Sequence, residues 1–203
     1  LLLALVVSMW GTVTTRSRIH YGELAAFALA EASDRTIITD SPRDLGRWRP
    51  WMYGRGRYYP ADAPFVRVDD VVYNPEILDT SVPPAVLLIG VTRFEIEEPF
   101  EVIETPNGTL VLDPEAPAGP ASAAALLSAV GRSIGGNRGS TPLLAGAFVR
   151  LAAGDLEGGC GEVVRVESDP AVPDAAMYAV LSGGWYFEAG DLCNVGVVAA
   201  PRS

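Results

Sequence analysis

The stretch with the most recognisable chemistry lies between positions 47 and 59. There, arginines alternate with Trp48, Trp51, Tyr53, Tyr58 and Tyr59. Aromatic faces stack on sugar rings, and arginine forks hold phosphates or carboxylates through paired hydrogen bonds. If the chain meets a glycan or a lipid-linked phosphate, Trp51, Tyr53, Arg55 and Arg57 are the residues expected to touch it. The same composition also suits a helix packed at a sheet edge near a bilayer interface. Pro50 interrupts regular helix, and the sequence favours this structural role over the ligand-binding one.

Other reactive side chains are isolated. Asp40 closes the apolar run 36–39 and is followed by Ser41-Pro42, a turn signal. Asp69 and Asp70 are adjacent. Adjacent residues on a strand face opposite ways, so the pair is expected to be a solvated strand end rather than a shared acid–base or cation site. The chain's one histidine, His20, has no acid or nucleophile that the sequence places beside it, and is read as a packing or surface residue. The glycine-rich stretch 131–140 has the composition of a phosphate loop but lacks the Lys-Ser/Thr pair that holds phosphate and magnesium. Gly46, Gly54 and Gly56 likewise do not form a dinucleotide fingerprint. No catalytic constellation emerges, and no cofactor is expected.

Two cysteines, Cys160 and Cys193, lack neighbours with metal-ligand spacing, so neither belongs to a zinc site. They are either a disulfide, which requires an oxidising compartment, or two buried thiols; the spacing leaves both open. The net charge of −10 argues against a nucleic-acid partner, which needs a basic face. All 15 basic residues are arginine, a bias read as coding composition before function. At 49 % hydrophobic residues and a mean hydropathy of +0.22, a packed core is easily supplied.

The positioning elements follow from periodicity. Residues 1–10 are apolar and end at Trp10, about half the length a membrane span needs. They are read as the end of a transmembrane helix, with Trp10 at the interface. A buried helix or the apolar part of a signal peptide are the alternatives. Residues 19–32 have helical spacing. Runs 36–39 and 84–90 are β-branched or aliphatic and flank a helix-length segment, which predicts β-α-β with buried parallel strands; 65–68 is a candidate third strand. Residues 94–97 alternate, and Asn107-Gly108 between 100–104 and 109–112 predicts a closing hairpin. Beyond a Pro/Ala-rich linker at 113–120, helices are expected at 121–130 and, from Pro142, at 143–153. Strands are expected at 162–167, 177–181, 184–187 and 195–198. The predicted fold class is thus α/β, a small mixed sheet with flanking helices. Its expected divisions are 1–18 (span remnant), 19–113 (α/β domain) and 114–203 (α+β extension).

In pattern and order, residues 1–113 resemble the extracytoplasmic tail of GT-C-class membrane glycosyltransferases, which use lipid-linked sugar donors and include protein mannosyltransferase-like and aminoarabinose transferase-like enzymes. Residues 1–10 resemble the end of their last span and 21–32 the linking helix. Residues 36–59 resemble the first strand and the segment leading to an aromatic "yygr" stretch. Residues 84–90 resemble a later strand, and 94–112 the closing hairpin. The resemblance implies a membrane location with the globular part extracytoplasmic, and a lipid-phosphate sugar or glycan acceptor as partner. It implies no catalytic residue in this chain, because that class carries its catalytic acid in an earlier loop. A pilin-like subunit with a hydrophobic N-terminal helix, or a singly anchored extracytoplasmic binding domain, are the rival readings; Leu5 stands where major pilins carry glutamate, if Leu1 is the mature start.

Overall fold

The computed structural model describes residues 21–40, 65–105, 107–168 and 193. Trp51, Tyr53, Arg55 and Arg57, the apolar run 1–10, and the strands expected at 177–181, 184–187 and 195–198 lie outside the described residues. The fold is α/β. A five-stranded mixed sheet carries helices on both faces, in the order β2-β1-β3-β5-β4.

The sheet is built around β1 (Thr36–Thr39) and β3 (Pro84–Ile89), paired in parallel from Thr36↔Pro84 to Thr39↔Leu87. Every residue of both strands is buried, which is why they read as continuous apolar runs rather than alternating ones. The candidate third strand is β2 (Phe65–Arg67), and it pairs in parallel on the outer side of β1. The hairpin is β4 (Glu101–Thr105) with β5 (Gly108–Leu112), and β5 runs antiparallel to β3. Asn107-Gly108 located this hairpin correctly, but Gly108 is its first paired residue rather than a turn residue. Glycine is required there because a Cβ would lie 2.6 Å from the Leu88 carbonyl oxygen.

Pleating divides the core in two. Ile37, Ala85, Leu87, Ile89, Leu110 and Leu112 face α1 (Tyr21–Glu31), which buries Leu24, Ala25 and Ala28 against them. Ile38, Val86, Leu88 and Val111 face the opposite layer. That layer holds α2 (Val68–Tyr73), α3 (Pro120–Ile134), α4 (Gly136–Ala152) and α5 (Leu156–Ser168). Helices α3 to α5 therefore share a core with the sheet, and the elements described after residue 114 are all helices, not the α+β mixture expected.

Several sequence expectations change here. Residues 162–167, expected as a strand, belong to α5, whose buried Val163 and Val166 and close-packed Gly159 follow helical spacing. The glycine-rich stretch 131–140 is not a loop but the tip of a helical hairpin. Gly135 and Gly136 take φ of 65° and 54° to reverse the chain. Gly131 and Gly139 let the helices touch backbone to backbone, since a Cβ on Gly139 would sit 2.2 Å from the Gly131 carbonyl oxygen. Pro142 lies inside α4 rather than at its start. There it withholds one donor from the helix ladder. Residues 94–97 form no strand; Phe94 and Ile96 instead pack onto the helical layer. Asp69 and Asp70 are in the first turn of α2, not at a strand end.

Candidate functional site at the carboxyl edge of the parallel strands

Strand β1 leads to β2 on one side, and β2 leads through α2 to β3 on the other. Such a reversal opens a crevice at the carboxyl ends of the strands, where open α/β sheets bind ligands. Asp40 stands there. Its backbone N–H donates to the Leu87 carbonyl at 3.0 Å, which continues the β1–β3 ladder by one residue and fixes the carboxylate at the sheet edge.

Asp40 is 5 % exposed. Its partner comes from the helical hairpin, 98 residues away. Arg138 Nε donates to Asp40 Oδ2 at 2.8 Å, and Nη2 contacts the same oxygen while donating to the Ile89 carbonyl at 2.8 Å. One guanidinium thus ties together the ends of β1 and β3. Burial raises the Asp40 pKa from 3.8 more strongly than the charge and hydrogen bonds of Arg138 lower it, and Asp69 adds to the rise. Arg67, at the end of β2, donates to Asp69 at 2.6 Å and lies 4.0 Å from Asp70. The two aspartates therefore flank one arginine.

This edge gathers three carboxylates, Asp40, Asp69 and Asp70, around the guanidiniums of Arg67 and Arg138. Its arginines are engaged, and Asp40 is held by a forked donor rather than poised to exchange a proton. Among the described residues, no group of three His, Cys, Asp or Glu side chains could hold a metal ion. The chemistry available is positional, a rigid polar rim from which the chain continues into residue 41 and the aromatic–arginine segment.

A second concavity of about 620 Å³ lies between the 95–100 connection and α3, lined by Glu95, Ile96, Glu97, Glu98, Phe100, Ala129, Arg132 and Ser133. Its apolar floor carries three glutamates, while Arg132 is drawn toward Glu162 at 2.9 Å. An acidic mouth repels phosphates, so an anionic ligand fits this groove poorly.

Sequence reasoning marked Asp40 as the end of a strand, but it missed Arg138. The residue sits in a stretch read as a loop, and no spacing rule connects positions 40 and 138. Cys160 and Cys193 are joined by a disulfide, with Cα atoms 5.1 Å apart. Among the described residues, no helix is long and apolar enough to cross a membrane. Comparison with family models, curated proteins and solved structures found no match to this chain.

Proposed function

We propose that this chain serves as the extracytoplasmic part of a membrane glycosyltransferase that uses a lipid-linked sugar donor, holding donor or acceptor rather than performing the transfer. The observation that carries the reading is topological. The segment with Trp51, Tyr53, Arg55 and Arg57 connects the carboxyl end of β1 to the parallel neighbour β2, so it departs from the crevice edge where such sheets take ligands. The order of helix, strand, aromatic–arginine segment, strand and hairpin supports the resemblance to the GT-C class. The Cys160–Cys193 bridge suits an oxidising compartment. The engaged Asp40–Arg138 pair supports a binding role over an acid–base one.

The coding sequence upstream of Leu1 tests this directly. Several further apolar spans are expected, and a stop codon or short leader there would sink the transferase reading. In the protein expressed from its full coding sequence and supplied with polyprenyl-phosphomannose, the Arg55→Ala, Arg57→Ala double variant should lose about tenfold or more in transfer at unchanged thermal stability. Full transfer by that variant overturns the ligand assignment.

A further inference from the structure

The groove beside α3 shares no lining residue with the carboxyl-edge crevice, and its two walls differ in kind. One wall is the 95–100 connection. Thr109 Oγ1 donates to the Val91 carbonyl at 2.6 Å, the Phe94 N–H donates to the Glu104 carboxylate at 3.4 Å, and the Phe100 N–H donates to the Glu97 carbonyl at 3.4 Å. Phe94, Ile96 and Phe100 pack onto the helical core. The wall is therefore held in place before any ligand arrives, which lowers the ordering cost of binding. The other wall is α3, where Ala129, Arg132 and Ser133 stand three and four residues apart on one face.

The charge on this groove is uncompensated. Glu95, Glu97 and Glu98 are exposed and make no ion pair among the described residues. Arg132, the cation in the lining, donates to Glu162 at 2.9 Å, and that carboxylate is only 12 % exposed. Its charge is thus met outside the groove. The glutamates also do not converge on a point, since no group of three acidic, His or Cys side chains among the described residues could hold a metal ion. Carboxylates spread around an apolar floor match a cation whose charges are spread along an aliphatic stem. The volume, about 620 Å³, suits a small molecule. A peptide strand would need a sheet edge to pair with, and residues 95–98 form no strand.

We propose that this groove binds a linear aliphatic polyamine. Its methylene stem lies on Ile96, Phe100 and Ala129, and its ammonium groups are shared among Glu95, Glu97 and Glu98. The pairs are at the surface, so binding weakens as salt is added.

The test is calorimetric titration of the full chain with spermidine at low salt. The triple variant Glu95→Gln, Glu97→Gln, Glu98→Gln should weaken binding on the order of tenfold. Glu31→Gln, Glu76→Gln, Glu115→Gln removes the same charge from exposed positions outside the groove and should leave binding within about twofold of the parent. Ser133→Phe narrows the groove from an exposed position on α3 and should also cost roughly tenfold, at parent thermal stability. Magnesium carries charge without a stem and should bind at least about threefold more weakly than spermidine. Equal losses in the two triple variants would overturn the proposal, because general attraction to a chain of net charge −10 would then explain the binding. So would magnesium binding as tightly as spermidine, or no spermidine binding to the parent.

Discussion

Two arginines mark the two ends of β1, and they are used in opposite ways. Arg35, just before the strand, is buried and donates to backbone carbonyls of Pro84 at 3.3 Å, Asp113 at 2.9 Å and Pro114 at 3.3 Å. It staples the start of β3 to the end of β5 and meets no carboxylate in those bonds. Arg138, beyond the other end, pairs with the buried carboxylate of Asp40 and is 38 % exposed. At the amino edge the charge is spent on neutral carbonyls and the edge is closed. At the carboxyl edge a charge pair remains within reach of solvent and of the segment that follows Asp40. A structural edge and a site edge are thus distinguished by what satisfies their arginines, not by residue type.

Removing Arg35 should have the largest effect. Arg35→Met leaves three carbonyls without their charged donor and is expected to cost about 4 kcal/mol in urea unfolding. Arg35→Lys should recover a minor part, since a point ammonium cannot reach three acceptors with one planar fork. A loss below about 1 kcal/mol would break the claim that the amino edge depends on this residue.

At the carboxyl edge the two partners should behave unequally. Arg138→Leu strands a buried carboxylate and should cost about 3 kcal/mol at neutral pH. Asp40→Asn removes the charge that burial disfavours, leaves Arg138 partly hydrated, and should cost less than about 1 kcal/mol. The pH dependence has a definite sign. A raised folded-state pKa means the folded protein binds the proton more tightly than the unfolded chain. The Asp40 contribution to stability therefore weakens as pH rises from 3.8 through its folded value. The parent should gain stability relative to Asp40→Asn as pH falls through that window, and Arg138→Leu should recover part of its loss there. Equal losses for the two substitutions, with no pH dependence between them, would show that Asp40 and Arg138 are not coupled as described.

A smaller effect is expected from Gly139→Ala, next to Arg138 in sequence. The added methyl would press on the Gly131 carbonyl oxygen, which should cost about 2 kcal/mol by overpacking and draw the start of α4 away from Asp40. Combining it with Asp40→Asn should give less than the sum of the two losses. Strict additivity would mean the hairpin tip does not position the site.

The central strands were legible in the sequence because burial on both faces imposes unbroken runs such as Pro84–Ile89, and turn chemistry marked the hairpin at Asn107-Gly108. What failed were stretches where short-range pattern misleads. Residues 162–167 hold three β-branched valines, as a strand does, yet lie in α5, and the glycines from 131 to 139 signal loop locally while serving a helix crossing. Tertiary contact overrides propensity in both cases, because the requirement for a glycine at 139 is set by a carbonyl eight residues away on another helix. By itself the sequence determined which strands are buried and that Asp40 ends one of them. Whether that aspartate is paired, and by which of 15 arginines, was decided by packing α3 and α4 onto one sheet face, which brings position 138 to position 40. Long-range pairing of this kind leaves no trace in local spacing, because its geometry exists only once the helical layer has closed over the sheet.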